Sequence, residues 1–277
     1  MRLSDALLID KDNTYVKFTP EGSKKSTRVY LKDADKVNYN GTDCYSFKCR
    51  VNAAEMTKKV NAVLHCNDWT GQTYSYSVYD YASKILAEPE SSEYKSSAPL
   101  IKAMLNYGGY AQTYFNEKTD ALANKGLYNK TNDPVLTTNT TVSKDYNYAV
   151  FNNTIGVSFI GGSLVLNSGT DLKLYYSMDD QNMANNINVS VNGQNVAPEY
   201  DGNIMCVRVP DISISSLGDT YNVKISVNGK ELNQKYSAMT YMYKALNSQN
   251  SNTKLNNVVK ALYLYNEAAK QYSMEIE

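Results

Sequence analysis

The chain is poor in the residues from which most catalytic and metal centres are built. Among 277 residues it has one histidine, His65, one tryptophan, Trp69, and four cysteines, Cys44, Cys49, Cys66 and Cys206. A single histidine removes multi-histidine metal sites and most histidine-based acid–base catalysis. There is no net charge, since 28 Lys+Arg balance 28 Asp+Glu. Without a basic excess, nucleic acid is not an expected partner. No run approaches the roughly 18 apolar residues of a membrane helix, so membrane insertion is not expected. The apolar run at residues 6–9 is too short for the core of a signal peptide. Any signal or anchoring segment of an exported protein would lie outside this sequence.

The cysteines form no CxxC pair, and Cys44 and Cys49, five apart, would point to opposite faces of one strand. Buried free thiols are expected rather than zinc ligands or disulfides. The GxSxG, HExxH, P-loop and GxGxxG signatures are absent. Asp10-Lys-Asp-Asn13 opens like a calcium loop but lacks the glycine and the later glutamate. Neither metal nor cofactor is expected, and no catalytic residue stands out. His65 reads as an ordinary histidine at the edge of a core.

What the chain does have is tyrosine, 25 of them beside 5 phenylalanines. Many fall in an internal self-similarity. Tyr76-Ser-Val-Tyr-Asp-Tyr81 aligns with Tyr236-Ser-Ala-Met-Thr-Tyr241, and Lys102-Ala-Met-Leu-Asn-Tyr107 with Lys260-Ala-Leu-Tyr-Leu-Tyr265. Upstream, Tyr39-Asn-Gly41 matches Tyr200-Asp-Gly202, and Val60–Cys66 matches Tyr221–Val227. The offset drifts from 161 to 158 along the unit.

Each copy reads as strands followed by two helices. Val60–Cys66, Tyr221–Val227, Ile187–Val191 and parts of 157–176 and 205–209 have the branched, partly alternating pattern of strands. Ser-Val-Asn-Gly at 190–193 and again at 226–229 predicts tight hairpin turns, because both central positions need positive φ. Leu100, Met104, Tyr107, Ala111 and Tyr114 recur at helical spacing, and Val258, Leu262, Tyr265, Ala269 and Tyr272 repeat the stripe. Ser77 and Ser237 stand where an N-cap would start the preceding helix, with Tyr81 and Tyr241 on its inner face. Gly108-Gly109 inside a helix predicts a close backbone approach. The expected class is therefore α+β, with two tandem repeats, each a small antiparallel β-sandwich followed by a packed helical hairpin. The units are placed at 1–118 and 146–277. Residues 119–145 form the linker, with a short helix around 121–125.

Tyrosines shared by both copies read as scaffold. Unshared aromatics are the candidate binding surface. Trp69 lies in Asn67-Asp-Trp-Thr-Gly-Gln72, which reads as a polar loop longer than its Asn228-Gly229 counterpart. Tyr74, Tyr79 and Tyr110 are also unmatched, facing Gln234, Met239 and Ala268. Indole and phenol faces stack on the C–H faces of sugar rings, while Asn67, Asp68 and Gln72 supply hydrogen bonds to hydroxyls. A Trp69 packed beneath its own loop is the plainer alternative.

Tyr76-Ser-Val with Tyr81, Lys102-Ala-Met-Leu-Asn-Tyr-Gly108 with Ala111-Gln112 and Tyr114-Phe115, and Gly161-Gly-Ser-Leu-Val-Leu-Asn167 with Leu172-Lys-Leu-Tyr-Tyr176 resemble recurring modules of secreted, surface-attached proteins of gut Firmicutes. Some of these are similar to the starch-adherence proteins of amylosomes. The resemblance implies an extracellular, cell-surface, non-catalytic protein that binds polysaccharide, an α-glucan such as starch, in a groove between or beside the two lobes. It also implies a monomer within a larger surface protein or assembly. The alternatives are a structural or adhesive spacer module and, third, a glycoside hydrolase, which would need two converging carboxylates.

Overall fold

The computed structural model describes residues 10–149, 155–166, 169–249 and 252–276, so the apolar run at 6–9 lies outside the described residues. The fold is mixed α/β with several antiparallel sheets. In chain order the strands of the N-terminal half are β1 (Thr14–Pro20), β2 (Thr27–Tyr30), β3 (Asp35–Tyr39), β4 (Thr42–Ser46), β5 (Val60–Cys66) and β6 (Trp69–Tyr76). Helices α1 (Val78–Ala87) and α2 (Ala98–Phe115) follow, then one helical turn, α3 (Pro134–Thr137). The C-terminal half has β7 (Val157–Leu166), β8 (Thr170–Met178), β9 (Ile187–Val191), β10 (Gln194–Val196), β11 (Glu199–Asp201), β12 (Ile204–Ile212), β13 (Tyr221–Val227) and β14 (Lys230–Tyr236). It ends with α4 (Ala238–Leu246) and α5 (Thr253–Ile276).

The strand order β2-β1-β5-β6 of the first sheet has the same form as β10-β9-β13-β14 of the second. The C-terminal half adds a third sheet, β11-β12-β8-β7, whereas β3 and β4 stand as a two-stranded hairpin among the described residues. The expected hairpin turns occur, with Asn192-Gly193 and Asn228-Gly229 all at positive φ. Both predicted N-caps also occur. Ser77 accepts the backbone N–H of Asp80 at 3.0 Å and Ser237 that of Thr240 at 3.0 Å, and each is returned by the side chain of that third residue.

One apolar core runs through both halves, from Ala53, Met56, Leu105 and Ala111 to Leu174, Val207, Ile225 and Leu262. A small second cluster, Val16, Phe18 and Leu64, lies under the first sheet. The seam of the large core is the packing of α2 on α5, where the Tyr107 and Tyr265 rings stack at 5.9 Å. Burial, and then the neighbouring Tyr265, raises the Tyr107 phenol well above its usual pKa.

Gly108-Gly109 makes the predicted close approach. A Cβ on Gly108 would sit 2.7 Å from Met56 Sδ, and one on Gly109 would overlap the Asn124 amide. At the position matching Gly108, Asn266 instead donates to the Ile214 carbonyl. Residues 121–125 form turns rather than the expected short helix; the helical turn comes later, at α3, where Asp133 caps Val135. The reason is a competing partner. Fully buried Gln112 accepts from Ala123 N at 2.7 Å and donates to the Lys118, Ala121 and Thr57 oxygens at 3.0–3.3 Å, holding the segment's backbone bonds in place of a helix.

Three other expectations are corrected. All four cysteines are free, but only Cys66 and Cys206 are buried; Cys49 is exposed and Cys44 half-buried. Cys49 follows the β3–β4 hairpin, whose two strands pair only with each other among the described residues. Tyr81 faces outward on α1, and the shared tyrosines Tyr39 and Tyr76 are exposed rather than packed. A copied position keeps its backbone but not what covers it.

Two ionic contacts pin the C-terminal sheet. Arg208 donates to Asp171 Oδ2 through Nε at 3.0 Å and Nη2 at 2.5 Å, and the Asp211 N–H reaches Asp171 Oδ1 at 2.9 Å. Asp211 has φ 55°, inside the bulge of β12, and pairs with Arg50 from the N-terminal half. Burial alone would raise the Asp171 pKa, but the Asp211 N–H and the Arg208 guanidinium outweigh it and hold the carboxyl below its ordinary value.

Gln112→Leu should cost about 2–4 kcal/mol in urea unfolding, because buried backbone groups lose their partners, and should raise hydrogen exchange at residues 118–123. Unchanged exchange there would refute the clamp. Since Asp171 has a lower pKa folded than unfolded, its stabilisation is present at neutral pH and disappears as pH falls through that depressed value. Asp171→Asn is thus expected to lose about 1.5–3 kcal/mol at pH 7 and to show a shallower decline of stability below about pH 4. Parallel stability–pH curves for the two proteins would contradict this.

Candidate functional site

The candidate site is built on the β5–β6 hairpin. Asn67 takes φ 50°, which asparagine tolerates, so Asn67-Asp68 closes a two-residue turn between the paired Cys66 and Trp69. Trp69 is therefore not in a lengthened loop, as the sequence pattern suggests. It opens β6, just as Lys230 opens β14 opposite Val227. The extra residue lies further on, where the register shifts between Val63 and His65 as a β-bulge. That bulge turns the sequence offset of 161 at Trp69/Lys230 into 160 at Tyr76/Tyr236.

β6 is an edge strand, and cross-strand pairing fixes which way its rings point. Trp69 lies opposite Cys66, Tyr74 opposite Ala62 and Tyr76 opposite Val60. Those β5 residues share the face that carries Leu64, Val16 and Phe18. One face of the sheet therefore runs from a small apolar core outward to three exposed rings, with Trp69 51%, Tyr74 63% and Tyr76 41% accessible. The indole is held in place. A Cβ on Gly71 would lie 2.9 Å from Trp69 Cη2 and 3.4 Å from Cζ3, so the ring lies across the bare glycine backbone. Lys84 of α1 sets its ammonium 5.2 Å from the Tyr76 ring centroid, and Tyr81 stands exposed on the same helix.

The seven predicted residues divide between two places. Asn67, Asp68, Trp69, Gln72 and Tyr74 are exposed along the hairpin. Tyr79 and Tyr110 are half-buried on α1 and α2 and pack against the large core. The Tyr110 hydroxyl donates to buried Asp133 at 2.6 Å, and Asn106 Nδ2 reaches the other oxygen at 3.3 Å. Burial, and then that carboxylate, raises the Tyr110 phenol well above its usual pKa. Tyr76 was hidden from sequence reasoning by its match to Tyr236. Its spacing of two from Tyr74 on a strand was the available signal.

The matching face of the C-terminal half is closed. Leu232, Gln234 and Tyr236 of β14 are buried, Tyr236 to 2%. β7 covers Tyr236, with Phe159 5.5 Å from its ring and Gly162 backed against its hydroxyl. Burial pushes the Tyr236 phenol up to about 12.

His65 stacks on Tyr15 at 5.0 Å and meets Thr70 Oγ1 at 3.2 Å. No group of three or more His, Cys, Asp or Glu side chains able to hold a metal occurs among the described residues. The arrangement offers flat, half-exposed rings on a rigid strand, beside the carboxylate and amides of the turn. Such a surface stacks on a ligand that has its own apolar faces and hydroxyl edges. No family model, no curated protein and no solved structure matches the chain.

Gly71→Ala should lift the indole from its seat. The sole tryptophan should then emit at longer wavelength and be quenched more readily by acrylamide, while stability changes by less than about 1 kcal/mol. An unchanged spectrum would show that Gly71 does not seat the ring.

Proposed function

We propose that this chain is a non-catalytic, extracellular carbohydrate-binding protein, and that neutral α-glucan of the starch type stacks on Trp69 and Tyr74, with Tyr76 extending the platform. The observation that carries the reading is the indole held half-exposed across Gly71, on the same face as the two tyrosines. A ring already fixed in its bound orientation loses little freedom when a sugar stacks on it. The strand from Trp69 to Tyr76 runs about 20 Å, room for more than one sugar ring. Asn67, Asp68 and Gln72 supply hydroxyl partners at the turn end. Tyr79 and Tyr110 serve the scaffold in this reading.

The same proposal takes the chain as two tandem copies of a sheet-plus-helical-hairpin unit, 1–118 and 146–277, joined through 119–145. Identical strand orders and paired serine caps support this. So do the backbone bonds from Tyr79 N to Met56 O and from Met239 N to Leu217 O, which fall at matching positions. It would act as a monomeric part of a larger cell-surface protein or assembly, in line with its likeness to surface modules of gut Firmicutes.

A second reading, a structural or adhesive spacer, is favoured by the closed face of β14. There the positions that carry Tyr74 and Tyr76 in β6 serve only as core.

Retardation in native gels containing amylopectin decides between the two. The intact chain is expected to be slowed, and Trp69→Ala and Tyr74→Ala each to weaken retention about tenfold, the loss of one stacked ring. Retention that survives Trp69→Ala would remove the site, absence of retention would favour the spacer, and release of reducing sugar from starch would mark an enzyme.

A further inference from the structure

A pocket of about 370 Å³ lies at the turn end of the α4–α5 hairpin, against the incoming segment 139–144. Its polar lining consists mainly of Thr140, Lys144, Tyr243, Asn247, Asn256 and Lys260, with no carboxylate among the lining residues. Two side-chain oxygens buried at this pocket's residues have no partner among the described residues, Thr140 Oγ1 and Asn256 Oδ1. Thr140 is only 9% exposed, so its hydroxyl is withdrawn from bulk water. An unpaired buried oxygen is costly unless something comes to meet it. Neither Lys144 nor Lys260 makes an ion pair among the described residues.

The corresponding place in the N-terminal half provides a contrast. There a pocket of about 570 Å³ sits between α1, α2 and Gly126-Leu127-Tyr128, with Leu86 and Lys102 at the positions of Leu246 and Lys260. Ala98 replaces Asn256, Glu90 adds a carboxylate, and Lys102 rests over the Tyr128 ring at 4.5 Å. Of these two pockets, the α4–α5 one alone combines, among the described residues, unengaged cations with orphaned oxygens.

We propose that the α4–α5 pocket is a binding site for a small polyhydroxylated carboxylate of the uronic acid kind, distinct from the aromatic platform. Lys144 and Lys260 hold the carboxylate, Asn256 Oδ1 accepts from a ligand hydroxyl, and the Thr140 hydroxyl donates or accepts as the ligand requires. The volume lies within the range of small-molecule sites.

Isothermal titration of the intact chain tests this with D-glucuronate, D-glucose and acetate. Glucuronate should bind at least about tenfold more tightly than either of the others, since one lacks the anion and the other the hydroxyls. Lys260→Met should weaken glucuronate about tenfold or more and leave the glucose titration unchanged. Thr140→Val removes no bond within the protein, so it should keep or raise the wild-type Tm while weakening glucuronate; Lys144→Met serves if Lys260→Met does not fold. The site is refuted by absence of binding, by acetate or glucose matching glucuronate, by undiminished binding in the lysine variants, or by a Thr140→Val protein whose Tm falls.

Discussion

The packing of α2 on α5 joins the two halves, and its defining contact is the stack of Tyr107 on Tyr265. Ala111 of α2 and Ala261 and Ala269 of α5 are buried on the same two helices. Stacked rings with offset faces are favourable beyond their buried area. The back of α2 then receives the connecting segment over Gly108 and Gly109, and Gln112 fixes that segment's backbone. A change at the seam would therefore be felt in the first sheet through the 3-10 turn at Ala53–Glu55, and in the second through α5. Isolated, either helix would show a broad apolar stripe and be only marginally stable.

The two sheets of equal order differ chiefly in what lies over them. In the C-terminal half β7 and β8 close the face, and Leu172, Leu174 and Tyr176 are fully buried. In the N-terminal half the corresponding core, among the described residues, buries Val16, Phe18 and Leu64 with Val29, Phe47, Val60 and Ala62 packed against them, and the rings of β6 lie beyond its edge. A tyrosine at the same place in both strands is thus packed in one, Tyr236, and accessible in the other, Tyr76. The accessible face gives the glucan reading its surface, and the packed face gives the spacer reading its force.

The local parts of this architecture were legible in the residues. Strands β5 and β13 lie where branched residues alternate, Asn-Gly pairs make the turns that need positive φ, and both serines cap their helices. These are short-range preferences, written into a few neighbouring residues. The helical glycines also betrayed a close approach, though not that Asn124 and Met56 would be what approached. Trp69 reads as a loop residue because Asn67-Asp68 carries no glycine, and only pairing with β5 shows that asparagine alone makes the turn. Residues 121–125 have helical propensity, yet Gln112 takes their backbone groups from eleven residues away. Their copies place Tyr76 and Tyr81 in the scaffold, but burial is decided by distant chain. The orphaned oxygens of Thr140 and Asn256 had no sequence signal at all, since a missing partner is a property of three-dimensional surroundings.

The bulge in β6 has a consequence for how such a unit can diverge. One residue more than in β14 is absorbed between Val63 and His65, and by Tyr76 the pairing is back in step, so Ser77 still meets Asp80 as Ser237 meets Thr240. Insertion is thereby insulated from the helix that follows. An edge strand built this way can gain a residue, turn a ring to a new bearing and leave the rest of its scaffold untouched. It is a place where novelty comes without a folding penalty elsewhere.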